Sequence, residues 1–137
     1  MAMSASSERY ARQVRFSPFG KEGQERLSRG FAVVVGMGAL GCVIANHLVR
    51  AGIGRIRLID RDIVSWSNLH RQSLYTEADA EAGVPKAEAA SERLRAVNRE
   101  TAIEAAAVDL NPRNAERLLA DADLIADGTD HFAVRYL

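Results

Sequence analysis

The stretch Val33-Val34-Val35-Gly36-Met37-Gly38-Ala39-Leu40-Gly41 leaves a chain few ways to fold. Consecutive β-branched residues favour a strand buried on both faces. The glycines that follow permit a turn tight enough for backbone N–H groups to meet a phosphate. The strand runs back to Phe31, and a helix is predicted from Ala39 to Ala51, stopped by Gly52. Asp60 ends the next strand, Arg55-Ile-Arg-Leu-Ile, about 20 residues beyond the last glycine, where a carboxylate can hold ribose hydroxyls. The pattern predicts a nucleotide and leaves its identity open.

With 137 residues there is room for one domain with a core and little more. An N-terminal helical arm, residues 1–30, would precede a nucleotide-binding domain over 31–137. The 18 basic and 18 acidic residues cancel, which gives no bulk electrostatic case for nucleic acid or an anionic membrane. The apolar runs are too short to span a bilayer, and the opening Met-Ala-Met-Ser-Ala-Ser-Ser-Glu lacks a signal peptide's basic and apolar regions. A soluble, cytoplasmic protein is expected. The single cysteine, Cys42, excludes an internal disulfide and a Cys-based zinc cluster, and its position between Gly41 and Val43 suits a small packed residue.

Strands and helices alternate along the chain. A short capped helix is expected from Ser6 through Gln13 and another over 21–29, ended by Gly30. Strands are expected at 31–35, 55–59, 102–108 and 123–126. Residues 61–75 lose periodicity and are too rich in Ser and Asn for a core element. Helix returns at Pro85, with Ala87, Ala90, Leu94 and Val97 as its apolar stripe, and Asn111-Pro112 should cap a helix reaching about Ala120. Such alternation argues an α/β fold, a doubly wound, Rossmann-like parallel sheet with strand order 3-2-1-4. That order brings the glycine loop, Asp60 and the turn Asp127-Gly-Thr-Asp130 to one crevice.

A glycine loop and a ribose acid alone would favour NAD. The polar loop Asn68-Leu-His-Arg71-Gln72, followed by Lys86, adds an amide, a guanidinium and an ammonium at the same mouth. A dinucleotide needs little fixed positive charge, whereas a triphosphate attacked at its α-phosphorus needs cations for the transferring group and a carboxylate for magnesium. Arg71 and Lys86 meet the first need and Asp130 the second.

At these residues the chain resembles the ThiF/MoeB/HesA family, bacterial relatives of the ubiquitin-activating enzymes. The resemblance rests on Arg9-Tyr-Ala-Arg12-Gln13, Gly36-Met-Gly-Ala-Leu-Gly41, Asp60-Arg-Asp62, Ser67-Asn68-Leu-His-Arg71-Gln72, Pro85-Lys86 and Asp127-Gly-Thr-Asp130, in family order. It implies ATP- and Mg2+-dependent adenylation of the C-terminal carboxylate of a ubiquitin-like sulfur carrier protein ending in Gly-Gly, as in thiamine or molybdopterin biosynthesis. By resemblance, Asp60 binds ribose, Asn68, Arg71 and Lys86 bind phosphates, and Asp130 serves the metal. The same resemblance implies that Arg12 reaches the phosphates of a neighbouring protomer, which would make the working unit a homodimer. The expected catalytic set is therefore Arg71, Lys86, Asp130 and Arg12. The expected nucleotide contacts are Gly36, Gly38, Ala39, Gly41, Asp60, Asp62, Asn68, Arg71, Gln72, Lys86 and Asp127. Family members continue for a further hundred or more residues, which implies a fold cut short here before its C-terminal sheet.

Each residue also has a plainer reading. The glycines could serve only strand-to-helix packing, Asp62 could tie its loop, Asp127 could cap the glycine turn, and Asp130 could be a helix N-cap. His47, His70 and His131 lack mutual metal spacing, and Trp66 and Tyr75 are expected to pack the irregular loop. Two other functions remain in view: an NAD-linked oxidoreductase fragment, against which Arg71 and Lys86 argue, and a non-catalytic dimeric nucleotide-binding module.

Overall fold

The computed structural model describes residues 8–137. Four parallel strands, β1 (Phe31–Val35), β2 (Arg55–Ile59), β3 (Ala102–Ala106) and β4 (Leu124–Asp127), form one sheet in the order β3-β2-β1-β4. The helices are α1 (Ala11–Val14), α2 (Gly20–Leu27), α3 (Ala39–Ala51), α4 (Glu77–Ala82), α5 (Lys86–Val97), α6 (Ala115–Leu119) and α7 (Phe132–Arg135), with a 3₁₀ turn at Trp66–Asn68. Ser6 and Ser7, the expected start of the first helix, lie outside the described residues.

All five residues of β1 are buried, as a central strand requires. Alternate side chains part to the two faces: Ala32, Val34, Ile56 and Leu58 pack beneath α3 and α5, and Phe31, Val33, Val35 and Ile59 pack beneath α6. Helix α3 ends at Gly52, whose φ of 94° is the left-handed conformation that only glycine adopts freely. Register decides what the sheet can do. Val35 lies opposite both Ile59 and Asp127, so β1, β2 and β4 end at one level and their loops emerge side by side.

Several element ends shift by a few residues, and two boundaries and one helix depart furthest from expectation. β3 stops at Ala106 and not at residue 108, because its neighbour β2 has run out at Ile59, the partner of Ala106. Helix α6 starts only at Ala115, since Asn111 and Asn114 close a turn in which the Asn111 N–H donates to Asn114 Oδ1 at 2.9 Å. Helix α4 was not foreseen at all. It is held by a capping box, with Thr76 N–H donating to Asp79 Oδ2 at 2.8 Å and Asp79 N–H to Thr76 Oγ1 at 3.4 Å.

Candidate functional site

The loops leaving β1, β2 and β4 border an open cleft of about 970 Å³. Its floor is built from glycine. Gly36 has φ +84°, and a Cβ on Gly41 would fall 1.8 Å from the Gly36 carbonyl oxygen. Gly128 closes on the same point, where a Cβ would sit 2.8 Å from that oxygen. Loop, helix and β4 turn therefore touch backbone to backbone. Gly38 differs: nothing lies nearer its Cβ position than Gln72 Nε2 at 3.8 Å, so its backbone faces open space at the N-terminus of α3. That terminus has no side-chain cap, which leaves its N–H groups to whatever enters the cleft.

Asp60 organises the next loop. Its Oδ2 accepts the Met37 N–H at 2.7 Å and its Oδ1 the Asp62 N–H at 2.8 Å. One carboxylate thereby pins the glycine loop and the start of the irregular segment, with a lone pair left on each oxygen. Behind the loop the Met37 carbonyl accepts from Tyr75 Oη at 2.5 Å and from the Cys42 thiol at 3.5 Å. Burial pushes the Cys42 thiol and the Tyr75 phenol above their usual values, so both stay neutral and structural.

The irregular segment supplies the polar wall. Ser65 caps the 3₁₀ turn, and Asn68 Oδ1 accepts the Ser65 N–H at 2.9 Å. Arg71 is exposed, with Nη1 donating to the Ser67 carbonyl at 2.8 Å. Gln72 is only 4 % exposed, and its Oε1 has no hydrogen-bond partner. Lys86 opens α5 and is 6 % exposed, although an ammonium there opposes the helix dipole. Its Nζ lies 3.4 Å from Asp62 Oδ2.

Most of the expected site residues meet here: Gly36, Gly38, Ala39, Asp60, Asp62, Asn68, Arg71, Gln72, Lys86 and Asp130 all line the cleft. Others do not. Gly41 lies beneath the loop as a packing glycine, and Asp127 is spent on its own turn, accepting from the Thr129 N–H at 2.9 Å and from Arg135 Nε at 2.9 Å. Although burial raises the Asp127 carboxyl, the Thr129 hydroxyl and N–H and the Arg135 guanidinium outweigh it and hold the pKa below the usual aspartate value. Asp130, its side chain 95 % exposed, reaches only His131 at 3.5 Å, and the N-cap of α7 is His131 rather than Asp130. Trp66 is 55 % exposed and does not pack the loop, whereas Tyr75 does. Residues beyond expectation are Val108, Asp109, Leu110 and Asn111, which form the wall beside Asp60. The Asp109-Leu-Asn-Pro112 turn directly after a strand was the available signal.

Arg12 does not line this cleft. Its helix is anchored at the opposite end of α3, where Gln13 Nε2 donates to the Ala51 carbonyl at 2.8 Å and Asn98 Nδ2 donates to the Tyr10 hydroxyl at 2.9 Å. Thirteen residues of helix separate that end from the glycine loop, about 20 Å at 1.5 Å per residue.

Residues 10–137 match the ThiF family. The chain belongs to that family. It is 45 % identical over 129 residues to the sulfur carrier protein ThiS adenylyltransferase of Bacillus subtilis, covering 94 % of this chain and 38 % of that one. It is 47 % identical over 130 residues to the sulfur carrier protein adenylyltransferase of Thermus thermophilus, covering 95 % of this chain and 47 % of the relative. This ThiF-family chain thus spans less than half the length of either. Among solved structures, the tRNA N6-threonylcarbamoyladenosine dehydratase TcdA of E. coli in complex with ATP superposes with a TM-score of 0.85 at 27 % identity, over 96 % of this chain and 53 % of that one.

Proposed function

We propose that the cleft binds ATP and presents its α-phosphorus to the C-terminal carboxylate of a ubiquitin-like sulfur carrier. The observation that carries this reading is Lys86, a buried ammonium opening on a cleft whose floor is a helix N-terminus. A dinucleotide has no use for it, because backbone amides and the helix dipole already serve a pyrophosphate. Arg71 on the same wall and the unpartnered Oε1 of Gln72 support a ligand with many polar groups. The relatives from B. subtilis and T. thermophilus, named as sulfur carrier protein adenylyltransferases, support the substrate class. TcdA, solved with ATP, supports the nucleotide.

In this reading the α3 N-terminus and Gly38 cradle phosphate, Asp60 accepts from the ribose hydroxyls through its remaining lone pairs, and Lys86 and Arg71 offset charge on the α-phosphoryl group and the leaving pyrophosphate. The carrier carboxylate forms the new O–P bond, the bond from the α-phosphorus to the bridging oxygen breaks, and pyrophosphate leaves with the electron pair. No general base is needed, since the nucleophile is ionised at neutral pH. Among the described residues no group of three or more His, Cys, Asp or Glu is placed to hold a metal. One carboxylate, Asp130, suits magnesium that arrives on the nucleotide, because that ion keeps phosphate and water ligands and needs one or two carboxylates. There the ion would neutralise charge between phosphates.

Arg12 would complete the site from a second copy of the chain, a homodimer in which each cleft is composite. The distance along α3 between the Arg12 arm and its own glycine loop supports this. The test is carrier-dependent exchange of pyrophosphate into ATP, on the chain extended by a C-terminal part like that of its relatives. Arg71→Ala and Lys86→Ala should each slow exchange by roughly 10²–10³-fold. Full activity in either variant would remove that residue from the reaction.

A further inference from the structure

Asp62 lines the cleft, and its position is fixed by its neighbour Lys86. Its segment pairs with the start of α5 through an antiparallel bridge, Ile63 to Pro85, and its carbonyl accepts the Lys86 N–H at 2.9 Å. Backbone alone therefore fixes the two residues side by side. The side chains then meet again: Oδ2 stands 3.4 Å from Lys86 Nζ, with the carboxylate 58 % exposed and the lysine side chain 8 % exposed. Among the described residues Asp62 is the only carboxylate within ion-pair distance of that ammonium. The contact is long and engages one of three N–H donors.

We propose that Asp62 is the resident counter-ion and positioning residue of Lys86, holding the ammonium at the cleft wall until a polyphosphate takes its place; this rests on the reading that the cleft takes ATP. A buried ammonium without a partner is costly, so something must neutralise it in the empty site. Asp62 does so, yet its charge also opposes an incoming phosphate. The two effects separate on substitution. Asp62→Asn keeps the shape and the backbone bonds but removes the opposing charge, so polyphosphate binding tightens. Loss of a merely structural tie would weaken it.

The experiment titrates ATP, and separately inorganic tripolyphosphate, into the wild-type chain, Asp62→Asn, Lys86→Gln and the double variant at low ionic strength. Asp62→Asn should bind both ligands about three- to fivefold tighter, the scale of a partly exposed ion pair. The gain should disappear in the Lys86→Gln background. Unchanged or weaker binding by Asp62→Asn overturns the proposal, as does an equal gain without Lys86, which would mark a general charge effect. If tripolyphosphate follows the pattern and ATP does not bind, the counter-ion role stands and the ATP reading falls. If neither ligand binds wild type or variant, both fall.

Discussion

At the residue scale, Asp60 holds two parts of the site together before any ligand arrives. Both its oxygens already accept backbone N–H groups, from Met37 and Asp62, so even Asp60→Asn must turn an NH₂ group toward one of them. We expect that variant to lose about 1–3 kcal/mol of stability in denaturant unfolding, the cost of one unsatisfied partly buried donor. Unfolding at the wild-type midpoint would show that the loop does not depend on the carboxylate. The sequence revealed Asp60 by its spacing from the glycines, but only as a ribose ligand. Its structural role was hidden because the Met37 N–H that it accepts depends on the path of the loop. Lys86 was legible as a charge opposed to the helix dipole, while its burial and its closeness to Asp62 came from an isolated antiparallel bridge that no periodicity marks.

Elements were legible where a core enforces their period. β1, β2 and α3 fell where expected, each with a face pressed into one of the two apolar clusters. Helix α4, Glu-Ala-Asp-Ala-Glu-Ala, has no buried residue and so no apolar stripe, and the Thr76 to Asp79 capping box was its sole signature. Within the glycine loop Gly41 and Gly38 should respond differently. Gly41→Ala drives a methyl into the Gly36 carbonyl and should destabilise the fold by about 1–3 kcal/mol or more. Gly38→Ala meets no protein atom closer than 3.8 Å, so thermal unfolding should barely move while ATP binding weakens. Equal melting of both variants would contradict the packing described. The Asp127 turn carries a pH dependence of definite sign. With its folded pKa depressed, Asp127 stabilises the fold above the unfolded aspartate value near 4, and that stability is lost as pH falls through the folded value. Asp127→Asn should therefore flatten the acid limb of a stability-versus-pH curve, and an unchanged limb would deny the turn that role.

For the whole molecule, register is the property that makes a site. Because β1, β2 and β4 end level, residues as distant in sequence as Gly36, Asp60 and Gly128 share one cleft, and the strand order 3-2-1-4 was readable from the alternation of elements. The position of Arg12 was not readable, since the arm is tied down by Gln13, Gln24 and Asn98 through side-chain bonds to the far end of α3. If two copies share each site, ATP affinity should rise with protein concentration through the dimerisation range, and Arg12→Ala should abolish that rise. Concentration-independent affinity would confine the site to one chain. No helix among the described residues is long and apolar enough to cross a membrane. On the proposed reading this cleft is made for a triphosphate. Calorimetric titration of ATP and of NAD, with and without magnesium, tests it most directly. ATP should bind, more tightly with magnesium, and Lys86→Ala should weaken it by about tenfold or more, the scale of a lost charge-assisted bond. Tighter binding of NAD than of ATP would contradict the account.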